Sequence, residues 1–263
     1  MNSSLEISPL KLATWNVNSL NVRLPHVLDW LAANQPDVLC LQETKQEDHK
    51  FPHQELAAAG YHATHSGQKT YNGVAILSRQ AQSGLQAGIA DFADEQKRVV
   101  AANIGGLRII CAYIPNGQSL DSDKYQYKLR WLKALTTWLK SELKTYPKLV
   151  LLGDYNIAPE DRDVHDPKAW EGQVLVSEPE RAAFRELVGL GLHDAFRLFE
   201  QPAGSFSWWD YRMAGFRRNL GLRIDHILVS TPLVSACKSC NIDKTPRKLE
   251  RPSDHTPVVL ELA

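Results

Sequence analysis

Hydrophobic residues along the chain come in short runs bounded by Gly, Pro, Asn and Asp, the pattern of strands rather than of long helices. Such runs predict strands at 11–16, 37–42, 61–64, 73–77, 99–104, 107–113, 149–154, 205–208, 223–229 and 258–260. Gly105-Gly106, between two of them, reads as a tight hairpin turn. Helical spacing is rarer. Past Asn21, read as an N-cap, Leu24, Val27, Leu28, Leu31 and Ala32 keep a helical period, with Pro25 in or just past the first turn. Asn34-Gln35-Pro36 stops that helix. Tyr125, Leu129, Leu132, Leu135, Leu139 and Leu143 form a long stripe over 124–146, capped by Asp121, Ser122 or Asp123. A third helix is expected over 179–188, ended by Gly189. Few helices and many short strands, partly hairpin-connected, predict an α/β fold of two packed mixed sheets with helices outside. No repeat and no Gly/Ser linker divides the chain, so one continuous domain is expected.

Composition narrows the class. A 263-residue domain buries about three quarters of its unfolded surface and needs no staples. At 43% apolar and 23% charged residues, it is not a disordered chain. Lys plus Arg number 30, as do Asp plus Glu, which argues against a histone-like polycation but leaves room for a local basic rim. Candidate rim residues are Arg212, Arg217, Arg218, Arg223, Lys244, Arg247, Lys248 and Arg251, which equally suit an ordinary solvated surface. No apolar run approaches the ~18 residues of a membrane span, and the N-terminus lacks a signal peptide's basic-then-apolar order. No membrane partner is expected. Four Cys are too few for a disulfide scaffold, so a cytoplasmic location is expected.

Several motifs fail. The P-loop, the G-x-S-x-G elbow and H-E-x-x-H are absent. Cys237 and Cys240 lack two further zinc ligands nearby and read as reduced structural thiols. Asp161, Asp163, His165 and Asp166 lack the Gly and closing Glu of an EF-hand and read as a solvated loop. Ser253-Asp254-His255 cannot form a hydrolase relay, because neighbours in an extended segment point to opposite faces.

What remains is a set of polar residues at strand ends: Asn16, Glu43, Tyr113, Asp154 with Asn156, Asp225, and Asp254 with His255. One strand-end carboxylate is usually a turn or cap residue. Six such ends, mixing carboxylate, amide and imidazole, suit a shared rim between packed sheets. The chemistry they fit is metal-assisted hydrolysis of a phosphate ester. Carboxylates are hard ligands for Mg²⁺, amides and an imidazolium hold phosphate oxygens, and a further carboxylate deprotonates water.

The segments TWNVNSLNVR (14–23), LQETK (41–45), YNGVAILSR (71–79), YIPNG (113–117), GDYNIAP (153–159), SWWDYR (207–212), GLRIDHIL (221–228) and RPSDHTPV (251–258) occur in this order. Through them the chain resembles the exonuclease III family of apurinic/apyrimidinic (AP) endonucleases, within the endonuclease/exonuclease/phosphatase superfamily. The resemblance covers about residues 10 to 262 of a single 1–263 domain, leaving 1–9 as a short N-terminal extension. It implies a four-layered, DNase I-like α/β sandwich. It implies Glu43 as principal Mg²⁺ ligand, aided by Asn16 and Asn18 with Asp254 nearby, and Mn²⁺ as a substitute ion. Asp154 matches the activator of the attacking water, and Asn156 and His255 match phosphate-oxygen holders. Asp225 matches the carboxylate that orients His255, and Tyr113 a tyrosine near the scissile phosphate, with Asn116 as a further phosphate contact.

Trp208, Leu222 and Ile224 match an apolar pocket for a flipped, baseless sugar; from spacing alone, Trp208 suits plain core equally well. Tyr71, Arg98 and Arg212 lie in segments that border the DNA. The implied activity is Mg²⁺-dependent incision of duplex DNA 5′ to abasic sites, with 3′→5′ exonuclease and 3′-phosphatase side activities, by a monomer acting on abasic or 3′-blocked duplexes. One alternative is an enzyme specialised for 3′-end cleaning, with the 160–178 loop tilting the balance. Another is a non-catalytic damaged-DNA binding module.

Overall fold

The computed structural model describes residues 9–263, so all but the last residue of the 1–9 extension lies outside the described residues. Among the described residues there are fourteen strands: β1 (Leu10–Asn16), β2 (Val38–Gln42), β3 (His62–Ser66), β4 (Val74–Ser78), β5 (Ser83–Ala87), β6 (Val99–Ile104), β7 (Leu107–Tyr113), β8 (Leu149–Asp154), β9 (Leu192–Asp194), β10 (Trp208–Trp209), β11 (Gly221–Leu222), β12 (Asp225–Ser230), β13 (Cys237–Ile242) and β14 (Val258–Leu262). They form two six-stranded sheets, ordered β13-β14-β1-β2-β4-β3 and β5-β6-β7-β8-β12-β9, and a short β10-β11 ribbon. Both large sheets are mixed: β1 runs parallel to β2 and β7 to β8, and the other pairs are antiparallel.

Side-chain alternation builds four layers. Leu10, Leu12, Val38, Cys40, Val74 and Ile76 face Val100, Ile109, Cys111, Val150, Leu152 and Ile227 between the sheets. The outer face of the first sheet, with Ala13, Trp15, Leu39 and Leu41, is covered by α1 (Leu20–Asn34) and α2 (His53–Ala58). The outer face of the second, with Ile110, Leu149 and Leu151, is covered by α3 (Asp123–Thr145) and, past the short α4 (Pro167–Trp170), α5 (Glu178–Gly189). Burial on both faces explains why the central strands read as near-continuous apolar runs.

Local differences from expectation have physical causes. Asn21 is not the N-cap: α1 starts at Leu20 after Ser19, and Asn21 lies inside it. Ser122 is the cap of α3, accepting from Tyr125 N at 3.1 Å. The 205–208 strand shrinks to the Trp208–Trp209 pair, and β5, β9, β11 and β13 arise from polar or very short segments without a hydrophobic signal.

The loop over 160–166 is not simply solvated. Asp163 is fully buried and accepts from Arg223 Nε at 2.7 Å and from Arg197. Arg223, also buried, reaches Asp194 at 2.8 Å and donates to His226 Nδ1 at 3.0 Å. Removing Asp163 would leave a buried guanidinium underpaired, so Asp163→Asn should cost about 3 kcal/mol in urea unfolding; a loss within error of zero would show the network to be idle. His226 sits between Arg223 and the Ile157 carbonyl, 2.8 Å away. Burial, then Arg223, lowers its pKa from 6.5 to about 4. Between these values the unfolded chain binds more protons. His226 therefore contributes fully above pH 6.5, and that contribution is lost as pH falls towards 4. In denaturant titrations from pH 7 to 4, His226→Gln should flatten this acid slope.

Candidate active site

Strand register alone assembles the site. Asn16 and Gln42 end paired parallel strands, so Glu43 emerges beside Asn16. Tyr113 and Asp154 end the parallel pair β7 and β8, and Asp225 opens β12 directly opposite Asp154. The 251–257 segment leads into β14 beside β1 and bridges Trp208 to His255. All these ends lie on one rim between the two sheets.

There the side chains form one connected set. Asn16 Nδ2 donates to Asp154 Oδ2 at 2.8 Å and to Glu43 Oε1 at 2.9 Å. The Tyr113 hydroxyl donates to the same Glu43 oxygen at 2.9 Å. His255 Nδ1 lies 2.9 Å from Asp225 Oδ2, and its Nε2 lies 3.7 Å from Asp154 Oδ2. The Ser207 hydroxyl donates to Asp225 at 2.7 Å. Asn156, in the left-handed region at φ 49°, donates from its backbone N to Asp154 Oδ1 at 2.9 Å. Its side-chain amide donates to Ile114 O at 3.0 Å and more weakly to Asp154 at 3.3 Å. Asn116 Nδ2 donates to Asn156 Oδ1 at 3.0 Å.

The electrostatics follow from burial. Desolvation pushes Asp154 up to about 7; His255 pulls against this, and Asp225 and Glu43 add to it. Burial opposes charge on His255, but Asp225 and Asp154 outweigh it and raise its pKa to about 10, so the ring is cationic. Burial would raise Glu43, yet Lys45, 2.9 Å from Oε2, and the Asn16 amide hold it below its ordinary value. Burial and the Glu43 charge keep Tyr113 protonated.

Other expected residues stand differently. Asn16 turns its NH₂ to the carboxylates and bridges the two acids, while its oxygen accepts from Asn18 N at 2.9 Å. Asn18 Oδ1 accepts from Lys45 at 2.6 Å, and its amide donates to Asp254 at 2.9 Å. Trp208 is half-buried, donates to Asp254 Oδ2 at 2.9 Å and meets Trp170 edge-on at 6.5 Å. Leu222 and Ile224 are fully buried beneath it and support it instead of lining an open pocket. Arg98 is nearly buried, with its guanidinium 4.7 Å from the Tyr113 ring, so it braces Tyr113 rather than standing out as a free cation.

Tyr71 and Arg212 are exposed. Tyr71 edges a cleft of about 660 Å³ that runs past Tyr113, Asn116 and Lys124. Of the expected basic rim, Arg223 and Arg247 are buried and spent internally, Arg247 among the rings of Trp209, Tyr211 and Phe216.

Residues 13–255 match the Endonuclease/Exonuclease/phosphatase family. The chain belongs to that family. It is 38% identical to the exodeoxyribonuclease III of Haemophilus influenzae, over 96% of this chain and 99% of the relative. Among solved structures, the 3′ phosphatase NExo from Neisseria, bound to a product DNA hairpin, superposes with a TM-score of 0.95 at 49% identity, covering 97% of this chain and 99% of that one. An AP endonuclease from Archaeoglobus fulgidus gives 0.93 at 40% identity, covering 96% and 99%. The four-layered α/β sandwich is thus the family's fold, and this member is a hydrolytic nuclease.

The acidic rim fits a divalent cation. Ligand atoms of Glu43, Asp154 and His255 lie within 4.8 Å of one another. The ring is cationic, so the carboxylates are the donors, and hard oxygens suit Mg²⁺ or Mn²⁺. A cation would favour the ionised form of Asp154 against the burial that raises it. Adding either ion should raise the thermal midpoint of the native protein and leave Glu43→Gln unmoved; an equal rise in both would place the ion elsewhere.

Proposed function

We propose that this chain is a Mg²⁺-dependent DNA-repair phosphodiesterase that incises duplex DNA 5′ to abasic sites, leaving a 3′-hydroxyl and a 5′-deoxyribose phosphate. Exonuclease and 3′-phosphatase activities accompany this, because in all three reactions the leaving oxygen is a deoxyribose 3′-oxygen. The observation that carries the reading is the continuous link Asp225–His255–Asp154–Asn16–Glu43, in which a cation, a poised base and a second acid share one rim.

In this reading Asp154, at about 7, is basic enough to take a proton from water and is substantially ionised at neutral pH. His255, cationic and oriented by Asp225, offsets charge on the phosphate oxygens. Asn116 and Asn156 hold those oxygens; the 3.3 Å contact of Asn156 to Asp154 is the weaker of its two and the one exchanged for phosphate. Tyr113 donates towards the phosphate or the leaving oxygen. Glu43 would hold Mg²⁺, with Mn²⁺ as substitute and Asp154 and Asp254 nearby; the bound ion supplies neutralising charge to the reacting phosphate. Trp208 receives the baseless sugar, whose flipping costs less than that of an intact nucleotide. Tyr71 and Arg212 meet the duplex, and binding weakens with salt. A monomer in the cytoplasm suffices for this chemistry.

A second reading, a 3′-end processing enzyme with weak incision, is supported by two observations. The Neisseria relative is a 3′ phosphatase, and burial of Leu222 and Ile224 leaves only Trp208 of the three expected residues exposed to line a sugar pocket. Two labelled duplexes, one with an internal abasic analogue and one with a gap ending in 3′-phosphate, separate the readings. Faster Mg²⁺-dependent cutting of the first supports incision; faster action on the second supports end processing. Asp154→Asn should lose about 10³-fold or more in either reaction while still binding abasic DNA. Native-level cutting by that variant would remove Asp154 from its role. Tight binding without any cutting by the native chain would leave a binding module.

A further inference from the structure

We propose that the buried Lys128–Glu180 ion pair is a positioning device for the amides of Asn116 and Asn156, an inference that rests on the reading of those amides as phosphate holders. Lys128 lies on the apolar stripe of α3, between Tyr125 and Leu132, and is completely buried. Its ammonium has three hydrogens and finds three acceptors: Asn156 O at 2.6 Å, Asn116 O at 3.1 Å and Glu180 Oε1. The two carbonyls are those of the residues whose side chains face the site. Asn156 sits at φ 49° outside any regular ladder, so its carbonyl needs such a donor.

Glu180 is fixed from the other side. It is the N3 residue of the α5 capping box, accepting from Ser177 N at 3.1 Å and Ser177 Oγ at 2.5 Å, and it also accepts from Leu175 N at 3.0 Å. Leu175 O in turn accepts from Ala158 N at 2.8 Å, two residues past Asn156. The pair therefore transfers the placement of two outer helices to two active-site backbones. The side chains those backbones carry are joined at 3.0 Å. A shift of about 1 Å in such a group is enough to cost up to 10²-fold in rate.

A purely structural ion pair of this kind is replaceable by neutral groups of similar shape with little change in stability. The double variant Lys128→Met with Glu180→Gln removes both charges and keeps the capping box, which accepts Gln as well as Glu. The thermal midpoint should fall by a few degrees, because the Asn116 and Asn156 carbonyls lose a buried donor, and abasic-DNA binding by the folded variant in EDTA should be unchanged. The turnover number should fall about tenfold to a hundredfold at saturating DNA.

The decisive readout is the rate ratio for the two phosphorothioate diastereomers at the scissile phosphate. Sulfur accepts hydrogen bonds poorly, so the diastereomer facing the amides is penalised in the native enzyme. The double variant should lose that penalty, as should Asn156→Ala. Native turnover and a native ratio in the double variant, with the ratio altered in Asn156→Ala, would overturn the positioning role alone. An unaltered ratio in Asn156→Ala would overturn the phosphate-holding reading itself, and the inference with it. Should the double variant not fold, Glu180→Gln alone serves: a several-fold fall with the same altered ratio supports the role, and native values overturn it.

Discussion

One amide nitrogen, together with the Tyr113–Glu43 and His255–Asp225 hydrogen bonds, ties the two sheets together at the rim. Asn16 belongs to the first sheet and Asp154 to the second, and the Asn16 Nδ2 group donates to Asp154 and Glu43 together. The two carboxylates repel in a region with little water to screen them. The bridging NH₂, Lys45 beyond Glu43 and the imidazolium beyond Asp154 offset that repulsion, while burial of Asp154, with smaller contributions from Asp225 and Glu43, raises its pKa to about 7. By donating to the Asn16 oxygen, Asn18 N fixes which end of the amide faces the acids. The rim can therefore neither collapse nor relax into neutral contacts, and a poised carboxylate and a cation remain side by side.

Other buried charges anchor the segments that frame this rim. Arg223 ties the 160–166 segment to Asp194 at the second sheet's edge, Arg108 joins β7 to Glu142 of α3, and Lys128 reaches from α3 to α5. Such pairs add little net stability compared with apolar replacements, so their main effect is to specify one arrangement of loops. They also use up cations. Arg98, Arg108, Lys128, Arg223 and Arg247 are buried, while Arg212, Arg217, Arg218, Lys248 and Arg251 stand at the surface of a chain of zero net charge.

The layered fold was legible because strands buried on both faces leave apolar runs that even a single sequence displays, as at 99–104, 107–113 and 149–154. The candidate site was legible because its polar residues end those same runs. Strands stabilised by neighbours rather than by their own composition, such as Ser83–Ala87 and Cys237–Ile242, left no comparable signal. Asp163 was misread as solvated because its partners, Arg197 and Arg223, lie far along the chain. Lys128 was passed over, though a signal existed: a charge on the buried stripe of an amphipathic helix must have a partner. Which hydrogen of Asn16 faces which acid is a matter of tertiary contact and has no sequence counterpart.

The same contacts bear on how one set of reacting groups can serve several DNA ends. Every candidate reaction releases a 3′-oxygen, so Asp154, His255 and Glu43 do not discriminate between them. Discrimination falls to what adjoins them, and there Asp254 is shared. One of its oxygens accepts from Trp208 and the other from Asn18, which in turn accepts from Lys45 beside Glu43. The indole and Glu43 are thus joined through a single carboxylate, because any change in how Asp254 is held at Trp208 reaches Glu43 by way of Asn18 and Lys45.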